Sequence, residues 1–148
     1  MHIIIDCDGV LTDGRVYYSE SGRRYKSFHS RDITALRCLS EKHDVIILSA
    51  STWEGLRHLQ KRIPKVKIVT GKIDKSAWVD ENLPNMEIVV VCDDYSDKYL
   101  CRGAHKVFLP ADASIRLIHY TELLQADRVL MKARGGEGVI DELLLHIL

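Results

Sequence analysis

The chain of 148 residues is 46% hydrophobic and 28% charged, which predicts one globular domain over residues 1–148 and excludes a disordered chain. Its 21 lysine and arginine residues balance 21 aspartate and glutamate residues, so the formal net charge is zero. The protein therefore has no overall positive electrostatic field that would attract nucleic acid or a membrane surface. The apolar runs are too short to span a bilayer and no basic leader precedes them, which predicts a cytoplasmic protein.

The first predicted strand, His2–Asp6, ends at two acidic residues in the sequence Asp6-Cys7-Asp8-Gly9. In an open α/β sheet, ligands bind beyond the carboxyl ends of the strands, where both carboxylates lie. One ionised carboxylate can attack phosphorus, while the other, kept protonated by its like-charged neighbour, gives a proton to the leaving oxygen. Because acid-rich turns are common, the motif alone is equally compatible with two solvated acids.

The next segment predicts a β-hairpin flap, because the runs Arg15–Tyr18 and Arg24–Phe28 flank a Ser-Glu-Ser-Gly turn signal. After the flap, helical periodicity alternates with short apolar runs. This alternation predicts a doubly wound, Rossmann-like α/β fold with a parallel sheet. The predicted helices are Asp32–Lys42, Thr52–Arg62, Lys75–Leu83 and Asp97–Gly103, and the remaining core strands are Val45–Ser49, Val66–Val69, Ile88–Cys92 and Lys106–Leu109.

Polar residues follow the second and third predicted core strands. Ser49 and Ala50 come after the second strand, and Lys75 comes after the third. A phosphoryl group in transfer spreads negative charge over three oxygens, so hydroxyl, backbone N–H and ammonium donors suit it. We therefore expect these three residues to bind the phosphoryl group. Taken singly, Ser49 could instead be a helix cap and Lys75 a surface amine.

A second acidic cluster, which contains Asp93, Asp94 and Asp97, follows the strand Ile88–Cys92. Carboxylates gathered at one edge of a sheet repel one another unless a cation lies between them, and Mg²⁺ prefers hard oxygen ligands. The two acidic clusters together therefore predict a magnesium site. The alternative is that Asp93 and Asp94 simply cap the following helix.

The C-terminal part begins at Asp127 and reads as an addition to the core. It contains a short apolar run, Val129–Met131, a glycine-rich segment, Arg134–Gly138, and a predicted helix, Val139–Ile147. No internal repeat or long linker divides the chain into separate domains.

These motifs, in this order, resemble the haloacid dehalogenase superfamily of phosphohydrolases, whose four motifs are an Asp-x-Asp, a Ser or Thr, a Lys and an acidic pair. Within the superfamily the chain is similar to the small sugar-acid phosphatases that lack a cap domain. The spacing agrees, because neither the segment from Asp8 to Ser49 nor the segment from Ser49 to Lys75 is long enough to hold a cap. The resemblance rests on Asp6–Gly14, Lys26–Phe28, Arg31-Asp32, Asp74-Lys75, Asp93–Asp97 and Gly135–Gly138.

The resemblance implies a role for each motif residue in a Mg²⁺-dependent phosphatase that works through an aspartyl phosphate. The metal would be bound by two side chains and one backbone carbonyl. Asp6 would be the nucleophile and a metal ligand, and Asp93 a second metal ligand. Asp8 would be the acid and base and would bind the metal through its backbone carbonyl. Ser49 and Lys75 would be catalytic residues that bind the phosphoryl group, while Asp94 and Asp97 would support the metal ligands without binding the metal, with Asp97 orienting Lys75.

The resemblance also implies a substrate and an assembly. The substrate would be a small phosphorylated sugar or sugar acid, of the octulosonate 8-phosphate or nonulosonate 9-phosphate type. Arg31 and Arg134 are candidate partners for its carboxylate. An uncapped site leaves the intermediate open to water, so we expect a homotetramer in which the segment Arg134–Gly138 of a neighbour closes the site.

Two alternatives without catalysis share this architecture. A response-regulator receiver needs an acceptor Asp at the third strand, where this chain has Thr70, so that class is disfavoured. The second alternative is a catalytically altered or inactive domain of the same fold, acting as an oligomerising partner in sugar-nucleotide biosynthesis. It stays open because Ile33, Ala50, Ser51 and Cys92 stand where the family usually has other residues.

Overall fold

A parallel sheet of six strands runs through the centre of the molecule, with helices on both faces. The computed structural model describes residues 1–71 and 73–147, so Lys72 and Leu148 lie outside the described residues. The doubly wound α/β prediction is confirmed. The strands are β1 (His2–Ile5), β2 (Tyr17–Tyr18), β3 (Arg24–Tyr25), β4 (Asp44–Leu48), β5 (Lys67–Val69), β6 (Ile88–Val91), β7 (Lys106–Leu109) and β8 (Arg128–Leu130). The helices are α1 (Ser30–Ser40), α2 (Gly55–Arg62), α3 (Lys75–Asn82), α4 (Lys98–Gly103), α5 (Ile115–Leu123) and α6 (Val139–Ile147).

Both faces of the sheet are buried, which explains the uninterrupted apolar runs of its strands. Successive side chains of a strand point to opposite faces, so Ile3 and Ile5 enter one core and Ile4 enters the other. Helices α1, α2 and α6 cover the first face, and α3, α4 and α5 cover the second. None of these helices, over the described ranges, is long and apolar enough to cross a membrane.

The order of strands in the sheet, β5-β4-β1-β6-β7-β8, places the first strand at a topological switch point. From β1 the chain first builds outward on one side through β4 and β5, and then on the other side from β6 to β8. Ile5 pairs with both Ile47 and Val91, so the carboxyl ends of the three central strands lie at the same level. A crevice opens beyond such a switch point, and it is the usual ligand site of this architecture.

The predicted flap is present as a hairpin, with shorter strands than the sequence indicated. Tyr17 and Tyr18 pair antiparallel with Arg24 and Tyr25. The turn closes at Gly22, whose φ of 83° favours glycine. Over the described residues no second globular unit is inserted between the motifs, so the predicted absence of a cap domain holds.

The C-terminal part is not an addition to the core, and that prediction was wrong. Strand β8 extends the main sheet, with Val129 paired in register with Phe108. Val139, Ile140 and Leu143 of α6 are fully buried in the same core as α1. The sequence signal was weak because the strand is only three residues long and a glycine-rich segment separates it from its helix.

Helix α5 was not predicted at all. Its apolar residues do not follow a clean helical period, because Ile115 is 81% exposed and Leu123 is 69% exposed. Leu117 is its only fully buried apolar side chain, and Thr121 lies below it with its hydroxyl bonded to the carbonyl of Leu117.

Asp32 joins the two ends of the chain. Its side chain is buried, and Oδ1 accepts hydrogen bonds from the backbone N–H groups of Ile140 (2.9 Å) and Asp141 (3.1 Å) at the start of α6. Unpaired N–H groups at a helix start need acceptors, so this carboxylate caps α6 from α1. Burial raises its pKa, and the two backbone donors lower it by less.

Replacing Asp32 with alanine is expected to lower the free energy of unfolding by about 2 kcal/mol, because two buried amides lose their acceptor. Urea unfolding followed by circular dichroism measures the change. Asp32→Asn keeps an acceptor oxygen and should lose less. The control is Asp127→Ala, which removes an exposed ion pair with Lys106 and should cost less than about 0.5 kcal/mol. A loss for Asp32→Ala no larger than the control's would contradict the capping role.

Candidate active site

A cavity of about 350 Å³ opens at the carboxyl ends of β4, β1 and β6. It lies at the switch point of the sheet, and residues from four separate parts of the chain line it. Seven of these residues were predicted from the sequence. The lining residues are Asp6, Asp8, Ser49, Ala50, Lys75, Asp93 and Asp94, which were predicted, and Gly14, Ser51 and Ser96, which were not.

Asp6 is held directly beyond β1 by three hydrogen bonds, one of which comes from a buried lysine. Its backbone N–H donates to the carbonyl of Val91 (2.9 Å), so β6 fixes its position. Its Oδ1 accepts from the backbone N–H of Cys7 (2.8 Å) and from Lys75 Nζ (2.6 Å). Lys75 Nζ also donates to Asp97 Oδ2 (3.1 Å), and both Lys75 and Asp97 are buried. The contact between Asp97 and Lys75 that the resemblance implied is therefore present.

Burial and charge oppose each other in this group. Burial raises the pKa of Asp6 to about 6, with Asp97 adding to the rise and Lys75 acting against it. Burial lowers the pKa of Lys75, but the carboxylates of Asp6 and Asp97 raise it more, so it lies above its ordinary value. The lysine is thus a fixed positive charge beside one oxygen of Asp6.

Asp93 faces the same cavity from the end of β6. The backbone of Gly9 leaves room for it: a Cβ on Gly9 would lie 1.8 Å from Asp93 Oδ2, and the φ of Gly9 is 85°. Asp93 Oδ1 is buried and has no hydrogen-bond partner among the described residues. Burial and, to a smaller extent, the neighbouring carboxylates of Asp6, Asp94 and Asp97 together raise the pKa of Asp93 to about 8.

These features fit a divalent cation. An unpartnered buried carboxylate oxygen is costly, and a cation between Asp6 and Asp93 would remove both that cost and the repulsion. Over residues 1–71 and 73–147 no group of three His, Cys, Asp or Glu side chains is arranged to hold a metal. The predicted ligand set needs only two carboxylates and the carbonyl of Asp8, and Mg²⁺ usually keeps several waters.

Asp8 has a partner that the sequence did not indicate. Lys26, from the flap, places Nζ 2.8 Å from Asp8 Oδ1. The expectation that a like-charged neighbour keeps the second carboxylate protonated did not include this ammonium group, and it stays a prediction. Lys26 belongs to the motifs behind the resemblance, but nothing in its spacing indicated a role. Only the direction in which the hairpin folds brings it to the site.

Ser49 and Asp94 shape the cavity walls. Ser49 is buried after β4, and its Oγ accepts a hydrogen bond from the N–H of Ser51 (3.1 Å). Asp94 Oδ2 accepts from Ser96 Oγ (2.7 Å) and N–H (3.2 Å), which starts the helical turn before α4. Asp94 is thus partly a cap, as the alternative interpretation of the acidic pair proposed, while still lining the cavity.

The two predicted arginines do not line the cavity. Arg31 lies at the start of α1 with Nε 3.8 Å from Asp141 Oδ2, and Arg134 has Nη2 3.8 Å from Asp112 Oδ2. Both side chains are largely exposed and each faces a carboxylate of the same chain. Their proposed contact with a substrate is thus not made from within this cavity and stays a prediction.

The glycines after Arg134 pack on the loop of residues 6–13 of the same chain. A Cβ on Gly135 would lie 2.0 Å from the carbonyl oxygen of Gly9, and Gly136 N–H donates to the carbonyl of Val10 (3.0 Å). The backbone of this segment is therefore committed to its own chain. Closure of a neighbour's site by the segment 134–138 stays a prediction, and it would have to use exposed side chains.

Fold and site together define the class of protein. Carboxylates and a lysine meet beyond the central strands of a doubly wound sheet, and no cap domain covers them over the described residues. This is the architecture of a capless phosphatase of the haloacid dehalogenase superfamily.

Sequence relatives and solved structures show which phosphatases within this superfamily the chain is similar to. The chain is 30% identical over 151 residues to 3-deoxy-D-manno-octulosonate 8-phosphate phosphatase of Escherichia coli strain K12, covering 95% of this chain and 74% of the relative. A probable YrbI family phosphatase from Pseudomonas syringae superposes with a TM-score of 0.85 at 25% identity, covering 96% and 81% of the two chains. The cobalt-bound deoxy-D-mannose-octulosonate 8-phosphate phosphatase of Haemophilus influenzae gives a TM-score of 0.81 at 26% identity, covering 96% and 83%. No family model matches the chain.

The chain belongs to the family of 3-deoxy-D-manno-octulosonate 8-phosphate phosphatases, which are hydrolases of phosphoric monoesters. The resemblance drawn from its motifs is confirmed.

Proposed function

We propose that this protein hydrolyses the phosphate ester of a small sugar acid, with 3-deoxy-D-manno-octulosonate 8-phosphate as the first candidate and Mg²⁺ as the metal. The observation that carries the proposal is the single cavity lined by Asp6, Asp8, Lys75 and Asp93, in which Asp93 Oδ1 is buried without a partner. The names of the relatives support the substrate, and the cobalt ion in the Haemophilus influenzae relative supports a divalent metal.

The first step is transfer of the phosphoryl group to Asp6. Oδ1 of Asp6 already accepts two hydrogen bonds, so Oδ2 is the oxygen that attacks phosphorus. As the bond from phosphorus to the leaving oxygen breaks, that oxygen takes a proton from Asp8 and the sugar acid departs as an alcohol. Lys75 and the hydroxyl of Ser49 stabilise the charge on the phosphoryl oxygens.

The second step releases inorganic phosphate. A water molecule attacks the phosphorus of the aspartyl phosphate, Asp8 takes its proton, and the bond to Asp6 breaks to restore the carboxylate. Asp6, Asp93 and the carbonyl of Asp8 would hold Mg²⁺, which when bound neutralises negative charge on the carboxylates and the phosphoryl group.

Phosphate release by the purified protein tests the proposal. With Mg²⁺ present, we expect turnover of 3-deoxy-D-manno-octulosonate 8-phosphate, and chelation of the metal should reduce it at least about 100-fold. A panel of sugar and sugar-acid phosphates with other chain lengths measures specificity. Absence of turnover on every member of the panel would contradict the proposal and favour a catalytically inactive, oligomerising domain instead.

A homotetramer stays part of the proposal. The cavity is open to solvent on this chain, so a neighbouring subunit is the natural source of closure for a hydrolysis intermediate. The molar mass from light scattering checks this, and a monomer would contradict it.

A further inference from the structure

Lys26 of the flap forms an ion pair with Asp8, in which the lysine side chain is buried and the aspartate side chain is 40% exposed. The lysine side chain is only 4% exposed, although most of the hairpin is exposed, and its Nζ lies 2.8 Å from Asp8 Oδ1. Hydrogen bonds of this kind between charged groups are short and directional. The pair joins residues 18 positions apart in the chain and connects the flap to the cavity.

An aromatic wall holds the lysine in this place. Nζ of Lys26 lies 5.4 Å from the centroid of the Trp53 ring, within the range of a cation–π contact. Trp53 in turn packs on Phe28, with ring centroids 5.7 Å apart. The far edge of the indole lies on Gly55, where a Cβ would come within 2.2 Å of Trp53 Cη2. Contacts with Phe28 and Gly55 thus fix the position of the Trp53 ring, and this ring limits where the ammonium group of Lys26 can lie.

We propose that Lys26 is a positioning residue for Asp8. By holding Oδ1 it leaves Oδ2 as the oxygen that exchanges protons with the substrate. This inference rests on the proposed function, because it assigns Lys26 to the proton-transfer step of that reaction. The flap is then part of the catalytic apparatus.

The need for proton transfer from Asp8 depends on the leaving group of the substrate. A sugar alkoxide is a poor leaving group and needs a proton as the ester bond breaks, whereas p-nitrophenolate leaves without one. The value of kcat/KM covers the steps up to loss of the leaving group and does not include hydrolysis of the aspartyl phosphate. Loss of Lys26 should therefore reduce kcat/KM for an alkyl phosphate much more than for an aryl phosphate.

The experiment compares wild type with Lys26→Met on 3-deoxy-D-manno-octulosonate 8-phosphate and on p-nitrophenyl phosphate. We expect kcat/KM to fall about 100-fold or more on the sugar-acid phosphate and less than about 10-fold on the aryl phosphate. Both substrates are measured on the same preparation, so a partly unfolded variant would lower both values equally and leave their ratio unchanged. Lys26→Arg keeps the charge and should retain most of the activity on the sugar-acid phosphate.

Lys67→Met is the matched control, because Lys67 also places its ammonium over a tryptophan, with Nζ 5.3 Å from the Trp78 ring centroid, but lies away from the cavity. It should leave the ratio of the two kcat/KM values unchanged. An equal loss on both substrates for Lys26→Met would overturn the role of Lys26 and leave the proposed function intact. A wild-type protein inactive on the sugar-acid phosphate would instead contradict the proposed function, and this proposal with it.

Discussion

Asp6→Asn is expected to lose phosphate release by about 10⁴-fold or more, because an amide oxygen cannot replace the attacking carboxylate. The substitution is nearly isosteric, and the amide oxygen can still accept the hydrogen bonds from Cys7 N–H and Lys75 Nζ. The loss would therefore report on the nucleophile itself. Rapid acid quenching and mass spectrometry provide a second readout, in which wild type carries a phosphoryl group on the peptide that contains Asp6 and the variant does not.

The control for this variant is Asp44→Asn. Asp44 begins β4 at the opposite edge of the sheet and is exposed, and its carboxylate Oδ2 lies 3.5 Å from His2 Nδ1. Its replacement should leave turnover within about twofold of wild type. Retention of more than about one percent of the activity by Asp6→Asn would remove Asp6 from the role of nucleophile.

Mg²⁺ is expected to raise the unfolding temperature of the protein by about 5 °C or more near pH 9, and by much less near pH 6. An ordinary Asp titrates near 3.8, whereas Asp93 in the folded protein titrates at about 8. Between these values the folded state holds a proton that the unfolded state has lost, so raising the pH destabilises the metal-free protein. The metal must displace that proton at low pH but not at high pH.

Asp93→Asn separates the metal site from other effects of pH. The amide carries no charge, so the metal-free variant should lose the part of the pH dependence that Asp93 causes, and Mg²⁺ should no longer raise its unfolding temperature. Asp94→Asn is the matched control, because Asp94 also lines the cavity but accepts hydrogen bonds from Ser96, which lower the pKa of Asp94. That control should keep most of the response to Mg²⁺. A full response in Asp93→Asn would exclude Asp93 as a metal ligand.

The residues predicted correctly at the cavity share one property, which is their place directly after a core strand. The strands of a parallel sheet end at the same edge, so Asp6, Ser49 and Asp93 meet whatever the distance between them in the chain. Lys75 needed a further step, since it starts a helix, but the short turn between β5 and α3 confines it to the same edge. Local patterns are sufficient for such positions.

The features that sequence patterns missed depend on where a hairpin or a side chain points, and not on its position in the chain. The Ser-Glu-Ser-Gly turn signal identifies the hairpin but does not say which way the hairpin folds, so the contact of Lys26 with Asp8 could not be predicted. Arg31 lies one residue before the predicted helix start at Asp32, in the first turn of α1, yet its side chain turns toward Asp141 and not toward the cavity. Strand β8 was missed because three residues in register with β7 carry little periodic signal.

The contacts of Gly135 and Gly136 with the loop of residues 6–13 determine when this loop gains its support during synthesis of the protein. Residues 6–13 are synthesised before the segment near residue 136 that supports them, and Asp32 likewise waits for α6 to emerge. Until then the nascent chain lacks both long-range contacts, and such contacts form late because they close large loops. The loop that carries Asp6 thus gains this support only after residues 135–141 have been synthesised.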